Sequence, residues 1–244
     1  MIAFVGLGNI GDRYSKTKHN AGFWALDEFA RRNKMVFEPG KGNYVFAKTK
    51  RNQVLLIKPT TMMNKSGKAV KDVLAQWGLL PSDVFIVLDD VDLPLGAIRI
   101  RPKGGDGCHR GLENIIYQLQ TNRFPRIRLG IAVLSEDIRP AEKYVLLPFD
   151  KENKKEANAM IQKCADAMQN IIIHGLSRTM NQFNSCTRRI SFMDNNIVYV
   201  IVAGVLGLIF AFWKKSWIED QDEGTDQMKK IGKSIADGAM AFLK

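Results

Sequence analysis

The chain opens with a short apolar run that leads directly into a turn with three glycines. Residues 1–5 (MIAFV) predict a buried strand. Residues 6–11 (GLGNIG) form the turn and match the G-x-G-x-x-G pattern of dinucleotide-binding folds. Two hypotheses follow from this turn. It binds a nucleotide, or its glycines make room for an ester substrate that meets Asn9, with His19 returning beside it as a base.

The residues after the turn disfavour the nucleotide hypothesis. A dinucleotide site needs the third glycine to lead at once into a helix whose N terminus holds the pyrophosphate. Residues 12–18 (DRYSKTK) lack the apolar face of such a helix. Glu28, which has the right spacing to bind a ribose, lies within a predicted helix rather than at a strand end. A nicotinamide-dependent oxidoreductase is therefore the third hypothesis for this chain.

Strands and helices are predicted to alternate up to about residue 190. Apolar periodicity predicts helices over 21–33, 68–77, 112–119, 151–173 and 175–187, and strands over 44–49, 53–59, 83–88, 97–101 and 126–133. This order is typical of the α/β class, in which helices cover a central sheet. We expect one three-layer domain over residues 1–190.

Basic residues are concentrated in this domain. The chain has 36 Lys and Arg against 25 Asp and Glu, and six of the basic and seven of the acidic residues lie in 193–244. Residues 1–192 therefore carry a net charge of +12. A domain this basic predicts a polyanionic partner, such as nucleic acid or an anionic membrane surface, although such charges also keep proteins in solution.

Polar side chains occur at the boundaries of several predicted elements. They are Asn9, His19, Asn64, Asp89, His109 and Arg110. Ligands of open α/β sheets bind beyond the carboxyl ends of the strands, so these groups are expected to meet in one site. Each residue alone is more often a cap or a solvated group. Their common placement, with two of the positions in glycine-rich turns, favours a catalytic site.

Four blocks of sequence resemble those of bacterial peptidyl-tRNA hydrolases. They are VGLGNIGDRYSKTKHNAGF, KPTTMMNKSGKAV, LDDVDLPLGAIRIRPKGG and GCHRGLENII, they stand in the family's order, and the resemblance covers about residues 1–190. The resemblance implies one α/β domain with a mixed central sheet. It implies hydrolysis of the ester between a peptide and the 3′ end of tRNA, which recycles tRNA from abortive translation. It further implies a cytoplasmic monomer whose partner is peptidyl-tRNA and which needs no metal or cofactor.

The resemblance also assigns roles to residues in these blocks. His19 is expected to be the general base that activates a water, and Asp89 to orient its ring. Asn9 would position the ester or donate to the developing oxyanion, and Asn64 would bind the peptide backbone. Further substrate contacts are expected from Tyr14, Met62 and Arg110. The family clamps a terminal tRNA phosphate at positions that match Arg99 and Arg128, with Arg101 and Lys103 as supporting charge.

Two positions depart from the family's pattern. Arg110 stands where the family commonly has an asparagine that contacts substrate, and Ile10 stands where it usually has proline. An arginine still donates hydrogen bonds to carbonyls or phosphate, and the loss of proline should loosen the turn without moving Asn9. We expect activity to survive. A non-catalytic tRNA- or RNA-binding module is the alternative, motivated by the basic charge and the altered loop.

The last fifty residues have a different composition. Residues 197–213 (IVYVIVAGVLGLIFAFW) are seventeen uncharged residues followed by Lys214 and Lys215, which predicts a transmembrane helix and then a short helical tail. A buried core helix is the alternative, but the preceding domain is already complete. Residues 193–244 resemble the N-terminal end of a membrane-bound ion-pumping pyrophosphatase, without its catalytic segments. We expect either a real fusion, with the hydrolase domain held at the membrane, or a reading-frame artefact.

Overall fold

The computed structural model describes residues 1–49, 53–133, 136–184, 189–220 and 224–242. The side chains of 189–202, 219 and 242 are outside this description, as is the turn predicted over 50–52. The chain divides into two compact units, Met1–Cys186 and Thr187–Lys244.

A seven-stranded mixed sheet forms the centre of the first unit. Its strands are β1 (Ile2–Gly6), β2 (Glu38–Pro39), β3 (Tyr44–Lys48), β4 (Val54–Pro59), β5 (Val84–Pro94), β6 (Ile98–Arg101) and β7 (Arg126–Ala132). Their order across the sheet is β2-β3-β4-β1-β5-β7-β6. Strands β4, β1, β5 and β7 are paired in parallel, and β2, β3 and β6 are added through antiparallel pairs. The predicted α/β class with a mixed sheet is confirmed.

Helices cover both faces of this sheet. They are α1 (Ala21–Arg32), α2 (Ser66–Trp77), α3 (Arg110–Leu119), α4 (Ala141–Tyr144) and α5 (Lys154–Phe183). Helices α1 and α5 pack on one apolar face of the sheet, and α2 and α3 pack on the other. The break predicted between two closing helices is a kink within α5, where Gly175 has a φ of 78°. The predicted end of the second helix, over 185–187, is outside the described residues.

Strand β5 is longer than its apolar run predicts. The run ends at Leu88, but the strand continues because the backbones of Asp89 and Asp90 pair with those of Leu129 and Gly130 on β7. Backbone hydrogen bonds form whatever the side chain is, so two carboxylates can lie inside the sheet if they find partners. The extension of β5 is what brings both aspartates to the edge of the site.

Glycines allow α1 to approach the sheet closely beside the first turn. A Cβ on Gly6 would lie 2.5 Å from the carbonyl oxygen of Gly22, and one on Gly22 would lie 2.4 Å from that of Val87. A Cβ on Gly8 would lie 2.7 Å from the ring of Phe23. Gly6 and Gly8 therefore make room for helix packing, and the expectation that the glycines make room for a substrate is wrong at these two positions.

Replacement of Gly22 by alanine is expected to destabilise the first unit by about 1–3 kcal/mol, as in other overpacked sites. The added methyl group would meet backbone atoms of β5 and of the first turn, which cannot rotate away. Urea denaturation measures the effect. Gly105→Ala is the matched control, because a Cβ there meets nothing within 4 Å. The same unfolding midpoint for both variants would contradict this prediction.

The second unit contains α6 (Arg189–Glu219) and α7 (Asp226–Phe242), and α7 corresponds to the predicted helical tail. Within the described ranges, no helix has both the length and the apolar character that crossing a membrane requires. This finding does not support the membrane-spanning helix predicted over 197–213. Its uncharged run has seventeen residues, fewer than the about 20 that a bilayer normally needs. The side chains of its first six residues, 197–202, are outside the description.

Candidate active site

A groove of about 1250 Å³ opens at the edge of the sheet where the carboxyl ends of β1 and β4 meet β5. Asn9 follows β1, Asn64 follows β4, and Asp89 lies on β5 two residues beyond Val87, the partner of Gly6. The groove is lined by all the predicted catalytic and substrate-binding residues except Arg99, and the supporting Arg101 and Lys103 also lie outside its lining. The predicted residues that line it are Asn9, Tyr14, His19, Met62, Asn64, Asp89, Arg110 and Arg128.

Asn9 is held on three sides by hydrogen bonds. Asn20 accepts a bond from the backbone N–H of Asn9 (2.8 Å) and donates one from Nδ2 to its carbonyl (3.0 Å). Oδ1 of Asn9 accepts from the N–H of Met63 at 2.8 Å. Because Oδ1 is used as an acceptor, the amide is oriented with its Nδ2 donor free for the groove. Asn20 stands at the N-cap position of α1, but its side chain bonds Asn9 and makes no cap bond.

His19 and Asp89 form a buried pair. Nδ1 of His19 lies 2.9 Å from Oδ1 and 3.0 Å from Oδ2 of Asp89. Asp89 is 2% exposed and His19 is 9% exposed. An ionised carboxylate only accepts hydrogen bonds, so the proton of the neutral imidazole is assigned to Nδ1 and the lone pair to Nε2. The structure therefore brings together two residues that are 70 positions apart, in the orientation that a general base requires.

His109 is a second partner of Asp89 to which the sequence assigned no role. Its Nε2 lies 3.1 Å from Oδ1 of Asp89. Its Nδ1 accepts from the backbone N–H groups of Gly111 and Leu112, at 3.2 Å each, as the N-cap of α3. These two bonds make Nδ1 the acceptor, so Nε2–H donates to Asp89. A histidine just before a predicted helix indicates a cap, but the sequence has no signal for the contact with Asp89.

Burial and the two histidines set the charges of this site. Burial lowers the pKa of His19, but the charge and hydrogen bond of Asp89 outweigh it and raise the pKa above the ordinary 6.5. Burial likewise would raise the pKa of Asp89, yet His19 and His109 hold it well below its usual range. Asp89 is thus a carboxylate at neutral pH, and His19 is a stronger base than a free imidazole.

His19, Asp89 and His109 also form the one cluster of possible metal ligands within the described ranges, with donor atoms within 4.8 Å of one another. A metal ion would need a lone pair from each group. Nε2 of His109 carries a proton because its Nδ1 accepts two backbone bonds, and Nδ1 of His19 carries the proton bonded to Asp89. The donor set suits proton transfer better than metal binding.

The groups that face the open groove differ in exposure. Met62 and Asn64 are exposed at the loop that leads into α2, and Tyr14 is half-buried beside the first turn. Arg110 is exposed at the start of α3, and its Nη1 lies 3.8 Å from Oε2 of Glu113. An ion pair this long and exposed is weak, so the guanidinium is available to a ligand in the groove.

Four arginines share one face of the sheet at its β6–β7 edge. The register places Arg99 opposite Arg128 and Arg101 opposite Arg126, and directly opposed residues point to the same side. Nε of Arg128 lies 2.5 Å from Oδ2 of Asp90. Asp90 was not among the residues predicted for the site. Like charges directly opposite one another are unfavourable, and a bound anion relieves that repulsion. This edge therefore suits a phosphate group.

The segment after α4 holds the backbone of the His19 turn. The N–H of Lys18 donates to the carbonyl of Leu147 (3.0 Å), and the N–H of His19 donates to that of Val145 (2.9 Å). The buried ammonium of Lys18 lies 2.9 Å from Oε2 of Glu136. Local sequence patterns have no signal for these contacts, because they join segments more than 100 residues apart.

Three comparisons with known proteins, by family model, by sequence and by structure, agree on one family. The family model described as peptidyl-tRNA hydrolase matches residues 3–191. The peptidyl-tRNA hydrolase of Chlorobaculum parvum is 39% identical over 188 residues, which are 75% of this chain and 98% of that protein. That of Aquifex aeolicus is 42% identical over 172 residues, or 69% of this chain and 88% of that protein.

A crystal structure of peptidyl-tRNA hydrolase from Acinetobacter baumannii is similar to the first unit. It superposes with a TM-score of 0.70 at 28% sequence identity and covers 76% of this chain and 95% of that one. The match of fold, length and sequence reaches to the end of the predicted first domain. The arrangement of His19, Asp89 and Asn9 around one groove is thus found in a chain that belongs to the peptidyl-tRNA hydrolase family.

Proposed function

We propose that His19, oriented by Asp89, activates the water that hydrolyses the ester between the peptide and tRNA. The observation that carries this assignment is the 2.9 Å hydrogen bond between His19 Nδ1 and Asp89, which leaves Nε2 as the base on the groove side. An imidazole accepts a proton near neutral pH, and a buried carboxylate stabilises the imidazolium that forms.

The proton movements balance in two steps. His19 Nε2 takes a proton from water while the water oxygen attacks the ester carbonyl carbon. Nδ2 of Asn9 donates a hydrogen bond to the oxyanion that forms, since Oδ1 of this residue is already bonded to Met63. As the intermediate collapses, the C–O bond to the ribose breaks. The ribose oxygen receives the proton from His19, and a free peptide and tRNA leave.

The two ends of the groove would bind the two parts of the substrate. Asn64 would hydrogen-bond the peptide backbone, with Met62 beside it. Tyr14 would contact the 3′ end of tRNA, and Arg110 would donate to peptide carbonyls or to phosphate. Arg128 and Arg99 would bind a tRNA phosphate, with Arg101 and Lys103 as supporting charge, as the shared face of Arg99, Arg101 and Arg128 supports.

Replacement of Arg128 by glutamine is expected to raise the KM for peptidyl-tRNA and to leave kcat nearly unchanged. The substitution removes one phosphate contact, so the plot of log Kd against log salt concentration should lose about one unit of slope. Titration with tRNA at several salt concentrations measures this. Arg31→Gln on α1 is the control, since the exposed Arg31 pairs with Glu28 on the same helix and does not line the groove. An unchanged salt slope for Arg128→Gln would contradict a phosphate contact.

Turnover by the full chain separates the enzyme from a non-catalytic tRNA-binding module. The assay follows the release of deacylated tRNA from N-acetyl-aminoacyl-tRNA. A binding module would retain the substrate without cleaving it. The catalytic assignment predicts multiple turnovers. We expect the first unit to carry the activity and the enzyme to be a cytoplasmic monomer.

The tail is a separate question. The family match ends at residue 191, which supports the proposal that residues 193–244 take no part in hydrolysis. Their resemblance to the N-terminal end of a membrane-bound pyrophosphatase predicts that two neighbouring reading frames were joined, by a real fusion or by an artefact. Resequencing of the junction tests it, because a stop codon before Met193 would identify the tail as an artefact.

A further inference from the structure

Arg126 is a buried cation that has no carboxylate partner in the part of the chain that the structure describes. It is 2% exposed, and burial together with the charge of Arg128 lowers the pKa of its guanidinium to about 10. Burial of a charge without a counter-charge is costly unless the group is fully hydrogen-bonded. The bonds that replace a counter-charge therefore indicate what this arginine does.

Both Nη groups of Arg126 donate to backbone carbonyls of two loops, while its buried Nε has no hydrogen-bond partner among the described residues. Nη1 donates to the carbonyls of Gly104 (2.6 Å) and Gly105 (3.1 Å) in the glycine-rich loop before α3. Nη2 donates to the carbonyl of Asn122 at 3.1 Å, and the guanidinium lies over the ring of Phe124. Its planar fork suits successive carbonyls, and a lysine ammonium cannot reproduce this geometry.

The loop that Arg126 holds ends at His109, the second partner of Asp89. Four residues after the anchored Gly105, the N–H of His109 donates to the carbonyl of Asp106 at 3.1 Å. His109 then bonds Asp89 through Nε2 and caps α3 through Nδ1. The anchor at Gly104 and Gly105 and the contact with Asp89 are therefore two ends of one short loop.

We propose that Arg126 is a positioning residue for the hydrolysis. It holds the glycine-rich loop on β7 so that the imidazole of His109 reaches Asp89. This proposal rests on the function proposed above. It assigns to Arg126 an effect on the chemical step that passes through His109, and no contact with the substrate.

Arg126→Lys in the full chain is expected to lower kcat for peptidyl-tRNA by about 10–100-fold, the effect of misplacing an active-site group by about 1 Å. His109→Ala should lower it in the same way. The double variant should then be no slower than His109→Ala alone, because the loop no longer carries the group that Arg126 positions. Arg32→Lys is the matched control, since its guanidinium bonds Gln162 and Asp166 on α5 and should leave kcat unchanged.

The pH dependence of kcat separates a positioning role of Arg126 from a purely structural one, because a purely structural role would leave the pH profile unchanged. Among the described residues, His19 contacts two titratable side chains, Asp89 through its carboxylate and His109 through a tilted ring contact with centroids 4.9 Å apart. When His109 no longer donates a hydrogen bond to Asp89, the carboxylate charge acts on His19 alone and raises the pKa of His19 further. The acid limb of kcat should therefore move to higher pH in both Arg126→Lys and His109→Ala, and by similar amounts.

Three results would overturn the proposal. They are a wild-type kcat in Arg126→Lys, multiplicative losses in the double variant, and unfolding of both Arg126→Lys and the uncharged Arg126→Met by circular dichroism. The last would show that Arg126 serves the fold itself. If the unmodified chain fails to cleave peptidyl-tRNA, the proposed function fails instead, so the two failures are distinguishable.

Discussion

His19→Ala is expected to lower kcat for peptidyl-tRNA by about 10²–10⁴-fold, the usual contribution of a general base. The variant lacks the nitrogen that takes the proton from water, and no other described side chain with a free basic nitrogen lies against Asp89. His109 cannot take over, because its Nδ1 is bonded to two backbone N–H groups. The affinity for tRNA should persist, since the arginines of the β6–β7 edge are untouched.

Single-turnover cleavage and equilibrium binding of tRNA measure the two effects separately. His174→Ala is the matched control, because His174 is an exposed histidine on α5 and is not part of the site. Turnover of His19→Ala at the rate of the control would rule out His19 as the base. A parallel loss of tRNA affinity would instead indicate that the side chain supports the fold of the groove.

Asp89→Asn is expected to cost up to about 10⁴-fold in kcat. An asparagine amide can bond Nδ1 of His19 in the wrong tautomer and does not stabilise the imidazolium. The carboxylate also accepts from His109, so its removal disturbs both rings. Asp27→Asn is the control, since Asp27 is an exposed residue of α1 that pairs with Lys58.

The pH dependence of the Asp89 variant follows from the sign of the pKa shift of His19. In the unmodified chain the neutral form of His19 is the active base, and Asp89 raises its pKa above 6.5. Activity should therefore rise with pH, with a half-maximum above 6.5. Asp89→Asn removes the charge that raises the pKa and leaves the burial that lowers it. The acid limb of the residual activity should move to lower pH, and a shift to higher pH would contradict this account.

Sequence patterns predicted the parts of this molecule that depend on local order. Apolar periodicity located the strands and helices of the first unit except the short β2 and α4, because burial of one face imposes that pattern on the longer elements. Placement at strand ends brought Asn9, His19, Asn64 and Asp89 into one expected site, since parallel strands end at a common edge. The groove contains all four of these residues.

Contacts between distant segments had no such signal. His109 has the position of a cap and is also a partner of Asp89, and Asn20 stands at the N-cap position of α1 but bonds Asn9. Gly6 and Gly8 suggested space for a ligand, but they meet α1. In each case a residue type admits several partners, and only the three-dimensional packing selects one of them.

The order of strands in the sheet has a consequence for how the enzyme is made. Strand β6 is joined to the sheet only through β7, which lies between β5 and β6. A chain still emerging from the ribosome can pair β1, β4 and β5 before β7 has been synthesised, but the part of β5 that carries Asp89 gains its backbone partner only with β7. Strand β6, which carries Arg99, has no neighbouring strand to pair with until β7 emerges. The place of Asp89 beside His19 and the edge that carries Arg99 therefore both depend on β7, and a nascent chain that ends before residue 126 has neither.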